Sequence, residues 1–269
     1  MTATPMPREK LRGKRHIVMI HGAFCGGWAF NQYKVPFIEA GYEVHTPTLR
    51  HHEKGWPRRK PAKELATTST LDYLADLKHY LQRFEEPPIL IGHSMGGLLT
   101  QMLAASRIGR AAVLMAPSAP HGVLPFSPFD MIQANALFME GRFWEKVIVP
   151  VFHIVATHVL NCVDPYHHHR LFRSFVPESG RATFEIFQWA LDPQQATVVQ
   201  TRNISIPIMT IAGEKDLINP AGMVRQLAFR YRQREHLHVY SGNGHWLIEE
   251  PGWEGIAEDT INWLEVHAA

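Results

Sequence analysis

Short, almost uninterrupted apolar runs alternate with longer amphipathic segments along this chain of 269 residues. Six of the runs have the length and composition of strands that are buried on both faces. They are His16–Ile20, Tyr42–Thr46, Pro88–Gly92, Ala111–Ala116, Ile206–Ala212 and His236–Tyr240. The alternation predicts an α/β fold, in which helices cover both faces of a mostly parallel sheet.

Apolar residues at helical spacing predict the covering layers. Helices are expected at about Trp28–Ala40, Thr70–Phe84 and Trp253–Val266, and another begins directly after Ser94. The polar, proline-containing stretch Thr46–Pro61 is expected to be a loop.

One stretch breaks the alternation. From Ser118 to about Ala190 the chain has no convincing buried strand, and it holds nine of the 14 phenylalanines. We therefore predict a helical insertion, or cap, over residues 118–190, with a core domain made of residues 1–117 and 191–269. The alternative is that this stretch is an ordinary helical part of the main core.

The run Ile89–Gly97 joins a predicted strand to a predicted helix through a G-x-S-x-G motif. A serine at such a turn has a strained backbone, and the flanking Gly92 and Gly96 leave room for the turn because they lack a Cβ. Its hydroxyl projects at a helix N-terminus, where the amides and the dipole favour negative charge. The motif predicts Ser94 as a nucleophile.

A serine hydroxyl is a weak nucleophile that needs a base, and the base needs an orienting acid. In this architecture the acid and then the histidine follow the serine along the chain. Asp216 comes just after the fifth predicted strand, and His245 lies in a glycine-rich loop after the sixth. The order therefore predicts Asp216 as the acid and His245 as the base, with Glu214 as a rival acid.

A glycine-rich loop, His21–Trp28, follows the first predicted strand. Acyl transfer needs two donors aimed at the developing oxyanion. The backbone N–H of Met95 is expected to be one donor, and the second is expected from Ala23 or, next, from Phe24.

Together, the runs His21–Trp28 and Gly92–Gly97 resemble those of the α/β-hydrolase superfamily. Within it they are similar to the group of plant methyl esterases and hydroxynitrile lyases, and to small bacterial carboxylesterases and lactonases. The resemblance covers the chain from about residue 15 to its end. It implies Ser94, Asp216 and His245 as nucleophile, acid and base, a cap domain for the insertion, and a sheet of six to eight strands.

Two departures from that group bear on the reaction. The lyases carry threonine in place of Gly22 and lysine in place of Trp246, so cyanohydrin cleavage is disfavoured. The serine nucleophile argues against haloalkane dehalogenation. Met95 with Gly96 and Gly97 also resembles the cofactor-free haloperoxidases and perhydrolases and the carbon–carbon bond hydrolases. These alternatives stay open, as does a non-catalytic receptor of the same fold that binds a small ligand.

The charge balance bears on the partners. With 27 Lys and Arg against 25 Asp and Glu, a net charge of +2 gives no reason to expect nucleic acid or an anionic membrane surface. Neither a secretory signal nor a membrane-spanning run is recognisable. Two cysteines cannot form a disulfide scaffold, so a cytoplasmic location is expected.

The 17 histidines raise the question of metal chemistry. Consecutive residues such as His167, His168 and His169 do not share one face of a helix, so they cannot all hold one ion there. We expect no metal and no cofactor. His245 is expected to transfer protons, and His21 and His93 to brace the site.

The aromatic content of the cap predicts an apolar pocket. Its expected lining is Cys25, Trp28, His93, Phe126, Phe138, Trp144 and Trp246. The alternative is that the phenylalanines form only a small core of the cap. The sequence thus predicts a serine hydrolase for a small-molecule ester or lactone with an apolar acyl part, acyl-homoserine lactones included. A homodimer stays open.

Overall fold

A computed structural model of the chain describes residues 15–124 and 141–268, apart from the side chain of Arg234. The strands in these residues are β1 (His16–Ile20), β2 (Glu43–His45), β3 (Ile89–His93), β4 (Ala111–Met115), β5 (Val147–Ile148), β6 (Glu178–Ser179), β7 (Ile208–Gly213) and β8 (Leu237–Tyr240). The α-helices are α1 (Val35–Glu39), α2 (Thr70–Leu81), α3 (Met95–Ala105), α4 (Phe152–Ile154), α5 (Pro165–Phe172), α6 (Gly180–Phe187), α7 (Ala221–Arg230) and α8 (Trp253–His267). Short helical turns lie at Gly27–Phe30, Lys63–Thr67, Phe143–Glu145, Val155–Val159, Trp189–Leu191, Thr201–Asn203 and Arg234–His236.

Six strands form one parallel sheet in the order β2-β1-β3-β4-β7-β8. Each strand end lies within two residues of the corresponding end of an apolar run in the sequence. Because all these strands are parallel, the carboxyl ends of β1, β3, β7 and β8 lie along one edge of the sheet. The strand order reverses direction between β1 and β3, and open α/β sheets place their sites at the carboxyl edge near such a reversal.

Alternate residues of each central strand enter two separate apolar cores. On β1, Ile17 and Met19 pack in one core with α1 and α8, while Val18 and Ile20 pack in the other with α2, α3 and α7. Both faces of the sheet are therefore covered. This explains why the strands appear in the sequence as continuous apolar runs rather than as alternating patterns.

Helix α2 begins at a capping box, in which the Ser69 side chain accepts from the N–H of Leu71 and Asp72 accepts from the N–H of Ser69. The predicted helix Trp28–Ala40 is wrong. It is divided into a 3₁₀ turn at Gly27–Phe30 and the short helix α1. Pro36 explains the break, because a proline inside a longer helix would lack the N–H that bonds to Gln32. Helix α7 was not predicted.

The described part of the predicted insertion holds helices α4 to α6 and a small antiparallel sheet of β5 and β6. Its apolar residues join the two main cores, Val155 and Phe175 in one and Ala182 and Ile186 in the other. The segment is therefore packed on the parallel sheet through shared apolar contacts. No helix in the described ranges is both long enough and apolar enough to cross a bilayer.

The turn from β3 to α3 requires glycine at Gly96, because a Cβ there would lie 2.0 Å from the carbonyl oxygen of Ile20. We expect Gly96→Ala to lower the free energy of unfolding by about 3 kcal/mol or more, since the obstacle is backbone and cannot rotate away. Urea denaturation measures the effect.

Gly255 in α8 supplies the matched control. A Cβ at Gly255 would meet nothing within 4 Å. Gly255→Ala should therefore raise stability by up to about 1 kcal/mol, the ordinary helix preference of alanine over glycine. Equal stabilities of the two variants would contradict this explanation of the turn.

Candidate active site

Ser94 lies between β3 and α3 with φ 55° and ψ −120°. This conformation is strained for an L residue, and three backbone hydrogen bonds hold it. The Ser94 N–H donates to Met115, and the Ser94 carbonyl accepts from Leu98 and Ser118. The side chain is 8% exposed. The sequence predicts a nucleophile at this position, and the structure places Ser94 at the N-terminus of α3.

The loop after β1 contacts the Ser94 turn directly. A Cβ on Gly22 would lie 2.9 Å from the Cβ of Ser94 and 3.3 Å from the carbonyl oxygen of His93. Only glycine at position 22 allows this approach without displacement of the loop. Ala23 and Phe24 follow this contact directly in the chain.

Asp216 and His245 are joined by a hydrogen bond of 2.8 Å from Nδ1 of the histidine to Oδ2 of the aspartate. The other oxygen, Oδ1, accepts from the N–H groups of Ile218 and Asn219 at 2.7 and 2.8 Å. Both side chains are buried. Glu214, the rival acid, is exposed. Because Nδ1 carries the proton of this bond, Nε2 of His245 is the nitrogen left to act as a base.

His93 fixes the position of His245 relative to the serine turn. Its Nε2–H donates to the carbonyl oxygen of His245 at 2.8 Å, and the two rings lie 4.9 Å apart. His245 is thus held against the residue that precedes Ser94. Among the described residues the Ser94 hydroxyl has no hydrogen-bond partner. In unliganded enzymes such bonds often tighten only when substrate binds.

Glu250 supports the histidine loop from behind. Its buried carboxylate accepts from the N–H of Gly244 at 2.6 Å and from that of Trp246 at 2.9 Å, on either side of His245. Burial raises the pKa of Glu250, and the two backbone donors partly counteract that rise. The loop is therefore anchored at both neighbours of the histidine.

The two expected oxyanion donors on the first loop differ in their hydrogen bonds. The N–H of Phe24 donates to Oε2 of Glu178 at 3.2 Å. By contrast, the N–H groups of Ala23 and Met95 have no acceptor within the described ranges. Phe24 has φ 61°, so it too is strained.

Two further histidines beside the site are neutral. Burial lowers the pKa of both His21 and His93 to about 3. His21 accepts from the N–H of Leu49 at its Nε2 and donates from its Nδ1 to the carbonyl of Gly22. These contacts agree with the expected bracing role, which joins the glycine-rich loop to the stretch that follows β2.

A buried charged cluster, not foreseen from the sequence, lies under the glycine-rich loop. Oε2 of Glu178 accepts from Nε2 of His52 at 2.9 Å, and Oε1 accepts from the hydroxyl of Tyr73 at 2.7 Å. Burial alone would raise the pKa of Glu178, but His52 outweighs it and the net pKa is lowered. Burial lowers the pKa of His52, yet Glu178 more than reverses this, and its net pKa is raised. Both ring nitrogens of His52 face acceptors, and both shifts favour the charged forms of the two side chains.

Three aromatic rings pack together beside the site. Trp246 lies 6.1 Å from Trp28 and 5.5 Å from Phe175, between ring centroids, and it forms a T-shaped pair with His93 at 5.6 Å. The structure thus brings together Trp28, His93 and Trp246 of the expected pocket lining. It adds Phe175, which the sequence analysis did not include. Cys25 is buried in the adjoining core, and burial raises the pKa of its thiol.

Trp144, another residue of the expected lining, packs in a different place. Trp144 packs on Phe143 and Phe184, with ring centroids 5.5 and 5.2 Å away. Phe126 and Phe138 lie outside the described residues.

The side chains of the consecutive histidines contact different partners. His168 bonds to the carbonyl of Val163, whereas His169 stacks on Phe152 at 4.2 Å. One group in the described residues brings together three side chains of the types that bind metals: His16, Glu43 and His45. Nδ1 of His16 and Nε2 of His45 lie 3.1 Å apart, which is a hydrogen bond between the rings.

Sequence reasoning missed His52, Glu178 and Glu250. The partners His52 and Glu178 are 126 residues apart, and no local pattern relates them. Glu250 follows another glutamate and precedes Pro251, which is typical of an exposed turn. The carboxylate is nevertheless fully buried, and it bonds to Gly244 and Trp246, six and four residues earlier.

Comparison with known proteins assigns the fold to a family. The model of the alpha/beta hydrolase family matches residues 17–258. A monoacylglycerol lipase of Mycolicibacterium smegmatis is 23% identical over 93% of this chain and 88% of its own length. A pyrethroid hydrolase of Sphingobium wenxiniae is 36% identical over 109 residues, and the chain spans only 37% of that relative's length. The crystal structure of a methylesterase from Arabidopsis superposes with a TM-score of 0.67 at 15% identity, over 93% of this chain and 99% of that one.

The family match covers the sheet, the Ser94 turn and the loops that carry Asp216 and His245. It confirms the resemblance noted in the sequence and the predicted fold class. The six parallel strands found here lie at the lower end of the expected six to eight. The chain belongs to the alpha/beta hydrolase family.

Proposed function

We propose that this protein is a serine hydrolase that cleaves carboxylic ester or lactone bonds through an acyl-enzyme on Ser94. The observation that carries the proposal is the strained Ser94 turn beside the hydrogen-bonded pair of Asp216 and His245. The family and the named esterases and lipases among its relatives support the same class of reaction. No cofactor is part of the proposed mechanism.

In this mechanism, Nε2 of His245 takes the proton from Ser94 as the hydroxyl oxygen attacks the substrate carbonyl. Asp216 holds the Nδ1–H tautomer and stabilises the imidazolium that forms. The imidazolium then gives its proton to the departing alcohol oxygen. Water, deprotonated by the same histidine, releases the acid and restores Ser94.

We assign the two oxyanion donors to the backbone N–H groups of Met95 and Ala23. The N–H of Phe24 is a weaker candidate because it already donates to Glu178. An oxyanion donor must be free to bond to the negative oxygen when the charge develops. The Ala23 amide meets that requirement within the described residues.

The proposed substrate has an apolar acyl part. The rings of Trp28, Phe175 and Trp246 form an apolar wall next to the His245 loop. We propose that residues 118–190 act as a cap that closes the pocket. Two of its groups already bond to site loops, since Asn161 donates to Lys215 and Val176 donates to Phe24.

Ser94→Ala is expected to abolish turnover of p-nitrophenyl esters, with a fall of about 10⁴-fold or more, because no other group forms the acyl-enzyme. Ser106→Ala, at the far end of α3, should retain activity and serves as the control. A Ser94→Ala protein that keeps a tenth of the wild-type rate would refute the mechanism. A fluorophosphonate probe should label wild type but not this variant, and the absence of label on wild type would favour a non-catalytic receptor.

Asp216→Asn is expected to lower kcat by about 10³- to 10⁴-fold, because the amide no longer holds the productive tautomer of His245. Glu214→Gln, two residues away and exposed, should leave kcat within about twofold. Steady-state kinetics on one ester measures both. The reverse ranking of the two variants would make Glu214 the acid.

A further inference from the structure

We propose that Glu178 is a positioning residue for the oxyanion loop. From the inserted segment, it fixes the peptide that follows the proposed donor Ala23. This inference rests on the proposed function, since it assigns a role to a side chain that does not touch the substrate. It concerns the His21–Trp28 loop, which supplies one of the two donors.

The Phe24 residue is held at both of its backbone polar groups by one short segment. Its N–H donates to Oε2 of Glu178 at 3.2 Å, and its carbonyl accepts from the N–H of Val176 at 2.9 Å. Phe24 has φ 61°, a conformation that a non-glycine residue keeps only when its surroundings enforce it. Residues 176–178 supply that enforcement.

Four donors from different parts of the chain hold the Glu178 carboxylate itself. Besides Phe24, they are the ring of His52, the hydroxyl of Tyr73 and the N–H of Ser179, the last at 2.7 Å. The carboxylate is fully buried, and Nδ1 of His52 bonds in turn to the carbonyl of Arg50. All four lone-pair sites are used, so the acceptor offered to Phe24 has a fixed position.

A buried ion pair is weak evidence for stability, because desolvation offsets the Coulombic attraction. Apolar packing could not orient a backbone N–H, whereas the Glu178 carboxylate orients that of Phe24 by accepting from it. The orientation of Phe24 constrains the dihedral angles of Ala23, whose amide is the proposed donor. A displacement of about 1 Å at such a group can cost about 10²-fold in rate.

Glu178→Gln tests the role with the least change in shape. Without the carboxylate, His52 can be neutral and its Nε2 can accept a hydrogen bond. The NH₂ group of the glutamine would then occupy the former Oε2 position and donate to that nitrogen. The amide oxygen would keep Tyr73 and Ser179, so only the Phe24 N–H loses its acceptor. We expect kcat to fall about 10- to 100-fold with KM within about threefold. Hydrogen–deuterium exchange at the Phe24 amide should become faster.

Glu185→Gln is the matched control. Glu185 is a second fully buried glutamate of the inserted segment, and it accepts from Ser69, Thr70 and Arg181, not from the loop. Its substitution should lower the melting temperature while kcat stays within about twofold and Phe24 exchange is unchanged.

Circular dichroism establishes that each variant is folded. If Glu178→Gln is not, Glu178→Asp replaces it, because it keeps the charge opposite His52 while shortening the reach to Phe24. A kcat within threefold of wild type in the folded variant would overturn the proposal. Equal losses of kcat in the Glu178 and Glu185 variants would overturn it too, because both effects would then follow from stability.

The proposed function can fail separately. Wild type would then show neither ester turnover nor fluorophosphonate labelling at Ser94. The exchange rates of the Phe24 amide in wild type, Glu178→Gln and Glu185→Gln would still decide whether Glu178 holds the loop. Unchanged exchange in the Glu178 variant would contradict that.

Discussion

The close contact between the Ser94 turn and the end of β1 constrains the rest of the site. Gly96 packs so near the Ile20 carbonyl that a Cβ would lie 2.0 Å from it, and Gly22 packs on Ser94 in the same way from the other side. Helix α3 is thereby held against β1, and the positive φ of Ser94 is the cost of the geometry. The glycine-rich loop cannot move away from the serine without opening this contact. Every other group in the site is placed relative to that fixed pair.

Loops at the carboxyl edge of a sheet lack ladder partners for their N–H groups, and buried carboxylates fill that need here. Around the site, three carboxylates of the described residues each accept from two backbone N–H groups. Asp216 does so in its own loop, Glu250 on both sides of His245, and Glu178 at Phe24 and Ser179. A charged acceptor makes shorter and stronger bonds than a neutral one, so each loop gains rigidity in exchange for a desolvated charge. Of the three, only Asp216 bonds to His245. Glu250 bonds to the neighbours of His245, and Glu178 bonds to Phe24 of the His21–Trp28 loop and also to His52 and Tyr73.

The parts of the site that were predictable from the sequence are those set by local features. The strands, the Ser94 turn and the positions of Asp216 and His245 after strands are such features. Apolar runs, glycine spacing and strand ends can each be recognised in a short segment of sequence. Glu178 and His52 were not predictable, because the pair is formed by tertiary packing across 126 residues. The predicted helix Trp28–Ala40 failed for a local reason instead, because Pro36 cannot continue a helix that begins before it.

The segment predicted as the cap, residues 118–190, also forms hydrogen bonds to loops at the site. Asn161 donates to the carbonyl of Lys215, next to Asp216, and Val176 and Glu178 bond to Phe24. The packing of this segment therefore bears on the Asp216 loop and on the His21–Trp28 loop. Residues that shape the pocket and residues that orient the proposed catalytic groups share one set of hydrogen bonds. In the proposed hydrolase, a change in this segment that alters the pocket therefore has to preserve the acceptor for Phe24 if the rate is to be kept.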